Sequence, residues 1–282
     1  MFSEKFMQDK RVLVTGGGTG IGKSLATRFI ELGAEIIICG RRENVLKATT
    51  TEWTNAGGRA SYVVCDLRDP DAVEAMFDRI WHDGPLDTLV NNAAGNFIAR
   101  TELLSARAYD AVVKVVLHGS AYCSIAAGRR WIEAGQTGRI LSIITSAAWQ
   151  GRAFMAPSAT AKAGVLSLMR TLAVEWGPKG IRTVAVSPGI FPTPGASTRL
   201  YPDPAEYEAQ VRRVPMGRIG RHEELANLCA YLLSDYASFI NGDCITMDGG
   251  AALLEGGGGT VQYLRDWTPE QWDEFKTRSR GG

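Results

Sequence analysis

Metal chemistry finds no foothold in this sequence. Its three histidines (His82, His118, His222) and five cysteines (Cys39, Cys65, Cys123, Cys229, Cys244) stand far apart. No CxxC pair and no histidine spacing suits a zinc site, so no metal is expected. Nor do the cysteines read as a disulfide framework. Cys39 and Cys65 close apolar runs, as small buried residues of a reducing compartment do. Excess charge is also missing. A formal net charge of +1 leaves no electrostatic footprint for nucleic acid or an anionic membrane. No uninterrupted apolar run has the length a bilayer demands. Residues 1–10 resemble neither a secretory signal nor an Arg-rich transit peptide, so a cytoplasmic location is expected. Repeats are absent, and no linker precedes Gly256.

What remains is ordinary for a large enzyme domain: 282 residues, 45% hydrophobic and 22% charged. One α/β domain over residues 1–255 fits, followed by a glycine-rich link and a helix in 256–282. The organising stretch is 12–39. Val12-Leu13-Val14-Thr15 breaks into Gly16-Gly17-Gly18-Thr19-Gly20-Ile21-Gly22, then becomes helix-periodic, turns at Gly33 and ends in Ile36-Ile37-Ile38-Cys39. That is strand, glycine turn, helix, strand. Gly16 lets the chain turn off the strand, and Gly20 and Gly22 remove side chains where a ligand or the sheet must approach. The helix N-terminus then offers free N–H groups and partial positive charge to a pyrophosphate. A glycine fingerprint is weak alone, but this one follows a strand and opens a helix. Apolar and periodic segments alternate onward, predicting strands near 11–15, 35–39, 60–65, 86–91, 138–145, 181–187 and 243–247. Helices are expected near 20–32, 42–56, 70–82, 105–133, 157–177, 204–212 and 222–235. Such alternation implies a doubly wound parallel sheet in three layers, α/β/α, with a short C-terminal helical extension.

Ligands in open parallel sheets bind at the carboxyl ends of the strands, so those ends carry the site candidates. The second strand ends in Cys39-Gly40-Arg41-Arg42, without the acid that binds the ribose of NAD. Arg41, helped by Arg42, suits a 2′-phosphate, and NADPH/NADP is expected; two solvated helix-start arginines are the competing reading. The third strand ends in Asp66-Leu67-Arg68-Asp69-Pro70. Asp66 is placed to accept from the adenine amino group, because Asp69 before Pro70 is the better helix cap. The fourth runs into Asn91-Asn92-Ala93-Ala94-Gly95-Asn96-Phe97, where small residues let backbone lie against ribose and Asn91 can tie neighbouring strands.

Together with Lys162 and Ser187-Pro188-Gly189, these motifs make the chain resemble the short-chain dehydrogenases/reductases from about Lys10 to Ala252. The resemblance implies a Rossmann-type fold, a nicotinamide cofactor and a homotetramer. Within the family, Ala94-Gly95-Asn96-Phe97-Ile98, Pro157-Ser158-Ala159, Ala161-Lys162-Ala163-Gly164, Asn241-Gly242 and Leu225-Ala226-Asn227-Leu228 are similar to 2,4-dienoyl-CoA reductases. That branch reduces a dienoyl thioester to an enoyl-CoA with NADPH in the β-oxidation of unsaturated fatty acids. It implies cofactor contacts at Gly16, Gly18, Thr19, Gly20, Ile21, Gly22, Arg41, Arg42, Asp66, Leu67, Asn92, Ala93 and Lys162. The turn after the sixth strand adds Pro188, Gly189, Ile190 and Thr193. Acyl-CoA contacts are implied at Arg68, Asn96, Phe97, Ser105 and Arg199.

The chain departs from the family where a general acid should stand. The usual tyrosine, four residues before the lysine, is Ser158; the usual helix asparagine falls in Val116-Leu117-His118-Gly119. The tyrosine of the mitochondrial members is Ala147 and the aspartate of the peroxisomal members is Leu166. Reducing a ketone puts charge on the carbonyl oxygen and needs an acid there. Reducing a dienoyl thioester spreads charge into a dienolate, which a donor on the thioester oxygen stabilises. The expected roles are therefore Asn96 on that oxygen, Lys162 on the ribose and a proton-carrying water, and Thr145 or Ser146 on that water. Ser146 as a strand-end cap is an equal reading. A carbonyl or 3-hydroxyacyl-CoA oxidoreductase with an atypical acid and an inactive NADP-binding protein stay open as alternatives. Arg212 and Arg213 read either as CoA-phosphate contacts or as solvated charge. At the end, Thr268-Pro269-Glu270-Gln271 spells a helix start, with Trp267, Trp272 and Phe275 as its apolar side, expected to dock on the subunit or a neighbour.

Overall fold

Seven parallel strands run in the order β3-β2-β1-β4-β5-β6-β7. They are β1 (Arg11–Thr15), β2 (Glu35–Gly40), β3 (Arg59–Val64), β4 (Thr88–Asn91), β5 (Gly138–Ile143), β6 (Ile181–Pro188) and β7 (Cys244–Met247). The computed structural model describes residues 5–193, 204–255, 264 and 267–280. Side-chain alternation along the strands builds the two faces. Val12, Val14, Ile36 and Ile38 enter one core with Leu25 and Phe29 of α1 (Gly20–Glu31) and Leu225 and Ala230 of α9 (His222–Leu233). Leu13, Ile37 and Leu89 enter the other, with Phe77 of α3 (Pro70–His82), Trp131 of α5 (Gly119–Glu133) and Trp176 of α7 (Ala156–Trp176). The expected three layers follow from strands that are apolar on both sides. The remaining α-helices among the described residues are α2 (Glu43–Asn55), α4 (Ala106–Val113), α6 (Ala147–Gln150), α8 (Pro204–Arg213), α10 (Ala251–Glu255) and α11 (Pro269–Arg280).

One expectation changes. The helix read as continuous over 105–133 is interrupted: α4 passes through a π turn, Lys114–His118, before α5. There the helix runs close to the end of β3, since a Cβ on Gly119 would lie 2.9 Å from Leu67 Cβ. Ala106–Glu133 also holds a window of hydropathy 1.3 that is long and apolar enough to cross a membrane by length and composition alone. Half of that apolar window is buried in this fold, and Val116, Cys123, Ala126 and Trp131 are solvent-free. It is a core helix.

The remaining signals behave as their chemistry predicts. Asp69 caps α3, accepting from Asp71 N (3.0 Å) and Ala72 N (3.4 Å), with Pro70 in the first turn. All five cysteines are free and four are buried. Burial pushes the Cys65 and Cys244 thiols up to about 11 and keeps them protonated. At α11, Thr268 N donates to Gln271 Oε1 (2.8 Å) and Gln271 N to Thr268 Oγ1 (3.4 Å), a reciprocal cap. Its aromatic side gathers on itself, Trp267 lying 5.0 Å from the Trp272 ring and 5.6 Å from Phe275. The glycine link 256–259 lies outside the described residues.

Candidate active site

The order in which the chain adds strands reverses between β1 and β4, the switch point at which open α/β sheets bind ligands. The glycine turn opens there onto α1. Thr19 stands at the N-cap without a side-chain cap, and the first turn holds no acidic residue. The first N–H groups of α1 are therefore available to an anion. By contrast α3 and α4 are closed by Asp69 and Ser105. Close packing explains the glycines: a Cβ on Gly22 would lie 2.4 Å from Asn92 Nδ2 and 2.6 Å from the Gly16 carbonyl oxygen. Gly18 lies under Val45, Ile21 is half-buried on α1, and a Cβ on Gly16 would meet Ala93 Cα at 3.0 Å.

Asn92 acts here through the scaffold. Its Nδ2 donates to Thr15 O (2.9 Å), while the N–H groups of Asn92 and Ala93 both donate to Thr15 Oγ1 (3.0 Å). The ends of β1 and β4 are thereby locked together beneath the glycine turn. Asn91, expected to tie neighbouring strands, instead donates to Ser124 Oγ of α5 (2.9 Å). The side-chain period of two turns it away from the sheet plane.

At the adenosine end, Arg41 and Arg42 are exposed at the close of β2, Arg42 as the α2 N-cap. Arg68 grips Asp66 with Nε at 2.9 Å from Oδ1 and Nη2 at 2.5 Å from Oδ2. That guanidinium, with desolvation opposing it and a smaller contribution from Arg41, holds the Asp66 carboxyl below its ordinary range. Arg68, expected on the acyl-CoA, is thus engaged by the residue expected on adenine, a pairing that two positions of separation after a strand made possible. Leu67 turns inward and is buried. Ser105, also expected on the acyl-CoA, accepts from Ala108 N (3.2 Å) as the cap of α4. Arg199 lies outside the described residues; Arg212 and Arg213 are exposed on α8.

Lys162 is the unusual group. It lies on α7, 5% exposed, and its Nζ donates to the Ile143 carbonyl at the end of β5. Burial lowers its pKa to about 8. An ammonium has three donors and no acceptor, so one carbonyl leaves two N–H groups to give. Ser158, one turn earlier on the same face, is buried as well. Leu166 belongs to an apolar cluster with Val116 and Ile144, and Phe97 packs against it. Thr145 Oγ1 accepts from Ala147 N (3.0 Å), and the Ser146 carbonyl accepts from Trp149 N and Gln150 N (both 3.1 Å). Both residues thus begin α6, a helix the sequence reading missed because four residues show no period. Asn96 Oδ1 accepts from Phe97 N (2.9 Å), while its Nδ2 faces only the Met155 sulfur (3.6 Å), a weak acceptor.

The chain leaves β6 through Pro188-Gly189. Pro188 pairs with Met247, and a Cβ on Gly189 would lie 2.7 Å from Asp248 Cα. Ile190 and Thr193 continue the turn, and Thr193 Cγ2 would sit 3.3 Å from a Cβ on Gly20. Among the described residues, no three His, Cys, Asp or Glu side chains gather to hold a metal.

A switch-point glycine turn, an uncapped helix N-terminus and a buried lysine define an oxidoreductase of the dinucleotide-binding class. Residues 16–252 match the family model described as Enoyl-(Acyl carrier protein) reductase. The chain belongs to the short-chain dehydrogenase/reductase family. It is 45% identical over 249 residues to a Bacillus subtilis protein named a probable 2,4-dienoyl-CoA reductase, (2E)-enoyl-CoA-producing, covering 88% of this chain and 98% of that one. Among solved structures, a short chain dehydrogenase from Bacillus anthracis superposes with a TM-score of 0.80 at 41% identity, over 87% of this chain and 97% of the other. A gluconate 5-dehydrogenase from Burkholderia cenocepacia, solved with NADP and tartrate, gives a TM-score of 0.84 at 30% identity, over 89% and 98%.

Proposed function

We propose that this protein uses NADPH to reduce a 2,4-dienoyl-CoA, or a related enoyl thioester, to an enoyl-CoA in the β-oxidation of unsaturated fatty acids. The observation that carries the reading is the buried Lys162 with Ser158, not a phenol, one turn before it. Among the described tyrosines, Tyr109 approaches α7, but its hydroxyl is bonded to Thr160 (2.8 Å) on the exposed side of that helix. A reaction whose charge delocalises away from a single carbonyl oxygen suits such a site. The B. subtilis relative's name points the same way.

The residues fit the cofactor. The open first turn of α1 takes the pyrophosphate and Arg41 the 2′-phosphate. Bound there, the nicotinamide supplies a hydride. Lys162 donates to the ribose hydroxyls and to the water that protonates carbon. Thr145 and Ser146 border that water. The Asn96 amide donates its weakly engaged N–H to the thioester oxygen, and Phe97 walls the acyl group. The assay is NADPH oxidation with a dienoyl-CoA. Turnover of that thioester supports the reading; turnover of a simple ketone or 3-ketoacyl-CoA alone overturns it, and cofactor binding without any reduction points to an inactive homologue. A homotetramer is part of the proposal, supported by the fully exposed Phe239 and the 80% exposed Val174 and Leu253. Light scattering that gives only the 30.5 kDa chain would remove it.

Two outcomes follow from charge. Arg41→Ala should raise the KM for NADPH roughly 10- to 100-fold, the loss of a charge-assisted bond to phosphate, and leave NADH unaffected. Equal losses with both cofactors would take the 2′-phosphate away from Arg41. For Lys162, the protonated form is the donor, and burial places its loss near pH 8. kcat/KM should therefore hold below that pH and fall as pH rises through it, since this profile reports the free enzyme. A profile flat to pH 10 would exclude the ammonium as the working form.

A further inference from the structure

The loop after β6 is tied to α1 by a histidine that the cofactor motif does not include. His222 opens α9. Its Nε2 lies 2.7 Å from the Pro192 carbonyl oxygen, and its Nδ1 lies 2.7 Å from Ser24 Oγ. A carbonyl only accepts, so Nε2 carries a proton. Ser24 stands one turn into α1, with its hydroxyl also 3.2 Å from the Gly20 carbonyl. The bridge persists in either state of the ring. A neutral imidazole accepts from the Ser24 hydroxyl; an imidazolium donates to Ser24, which then turns its own proton to Gly20.

Four other contacts seat the same loop. Gly220 N donates to the Ile190 carbonyl (3.0 Å). The Phe191 ring meets the imidazole edge-on at 6.3 Å and covers Gly220, where a Cβ would lie 2.2 Å from Phe191 Cζ. Thr193 rests against Gly20, at the mouth of the glycine turn. The segment 189–193, leaving the sheet at β6, is thereby drawn across the N-terminus of α1.

We propose that His222 is a positioning residue for the dinucleotide: it latches loop 189–193 onto the first turn of α1, so that the loop closes over the pyrophosphate and release requires the latch to open. The proposal rests on the dinucleotide reading given above. It acts on cofactor residence and not on the transfer step, because His222 reaches the site only through Ser24 and Pro192.

Stopped-flow fluorescence of NADPH tests it on the full chain. His222→Ala should raise the NADPH dissociation rate and KM about tenfold, the weight of two neutral hydrogen bonds, with kcat at saturating NADPH within about twofold of wild type. Ser24→Ala should reproduce part of that loss and add nothing to His222→Ala, as partners in one bridge do. His222→Gln, which keeps a donor toward Pro192, should recover part of it. In the ligand-free protein, hydrogen exchange at the Gly220 amide should quicken in His222→Ala. A His222→Ala protein that melts earlier but releases NADPH and exchanges Gly220 at the wild-type rate overturns the latch. A wild-type protein that binds neither NADPH nor NADH overturns the dinucleotide reading instead, and the latch with it.

Discussion

Lys162→Ala is expected to lower dienoyl-CoA-dependent NADPH oxidation roughly 100- to 10,000-fold, the range for removing a positioned proton donor. Ser158→Ala, one turn away on the same buried face, should cost little. The contrast is the point. In a ketone reductase the position of Ser158 carries the acid, and its loss would be the more severe. Here the lysine is a buried donor at the end of β5, with a pKa near 8. Folding should suffer only modestly in the variant. Removing the buried ammonium relieves a desolvation cost, but alanine leaves the space of the lysine stem empty and the Ile143 carbonyl unpaired. Steady-state rates with both variants, set beside their melting temperatures, decide the matter. A severe Ser158→Ala and a mild Lys162→Ala would refute both assignments.

Trp131→Ala should have the largest effect on stability, about 3–5 kcal/mol, as for a large aromatic removed from a close-packed core. Trp131 is fully buried, and its Nε1 donates to the Leu86 carbonyl (2.6 Å) just before β4. Its ring fills the space over Gly138 at the start of β5, where a Cβ would come within 2.3 Å. Trp81 packs 6.3 Å away, and the Arg130 guanidinium lies 5.7 Å from the Phe77 ring. Alanine would leave a cavity and an unpaired carbonyl together. A fall in Tm of roughly 10 °C is expected for a domain of this size. Trp131→Phe, which keeps most of the ring and loses the hydrogen bond, should cost about 1–3 kcal/mol. Thermal melts that moved by less than a degree with alanine would show that the strand starts are held by something else. Because the ring sits at the N-terminal ends of β4 and β5, activity per folded molecule should survive both changes.

The strands were legible because parallel strands covered on both faces are apolar throughout, and the glycine turn was legible because its residues are contiguous. β2 was read as 35–39 and runs Glu35–Gly40; β6 was read as 181–187 and runs Ile181–Pro188. The caps Asp69 and Thr268 were likewise local. Less could be read where partners are far apart in sequence. The π turn at Lys114–His118 leads into Gly119, which packs against Leu67, about fifty residues earlier in the chain. α6 is too short to show a period. Arg68 was read toward the ligand, and in this structure its guanidinium pairs with Asp66 two residues away.

The sequence by itself determined the three-layer parallel sheet, the place of the dinucleotide turn and the absence of a phenol at the family's acid position, since each is written in neighbouring residues. Only the tertiary structure decided which of those residues are buried or bonded into the frame and which stay exposed. It buried Lys162 against the Ile143 carbonyl, and it brought His222 to Ser24 across 198 positions of chain. Burial and long-range hydrogen bonds exist only once the sheet has closed its layers, and those are what tune a lysine's proton or fasten a loop.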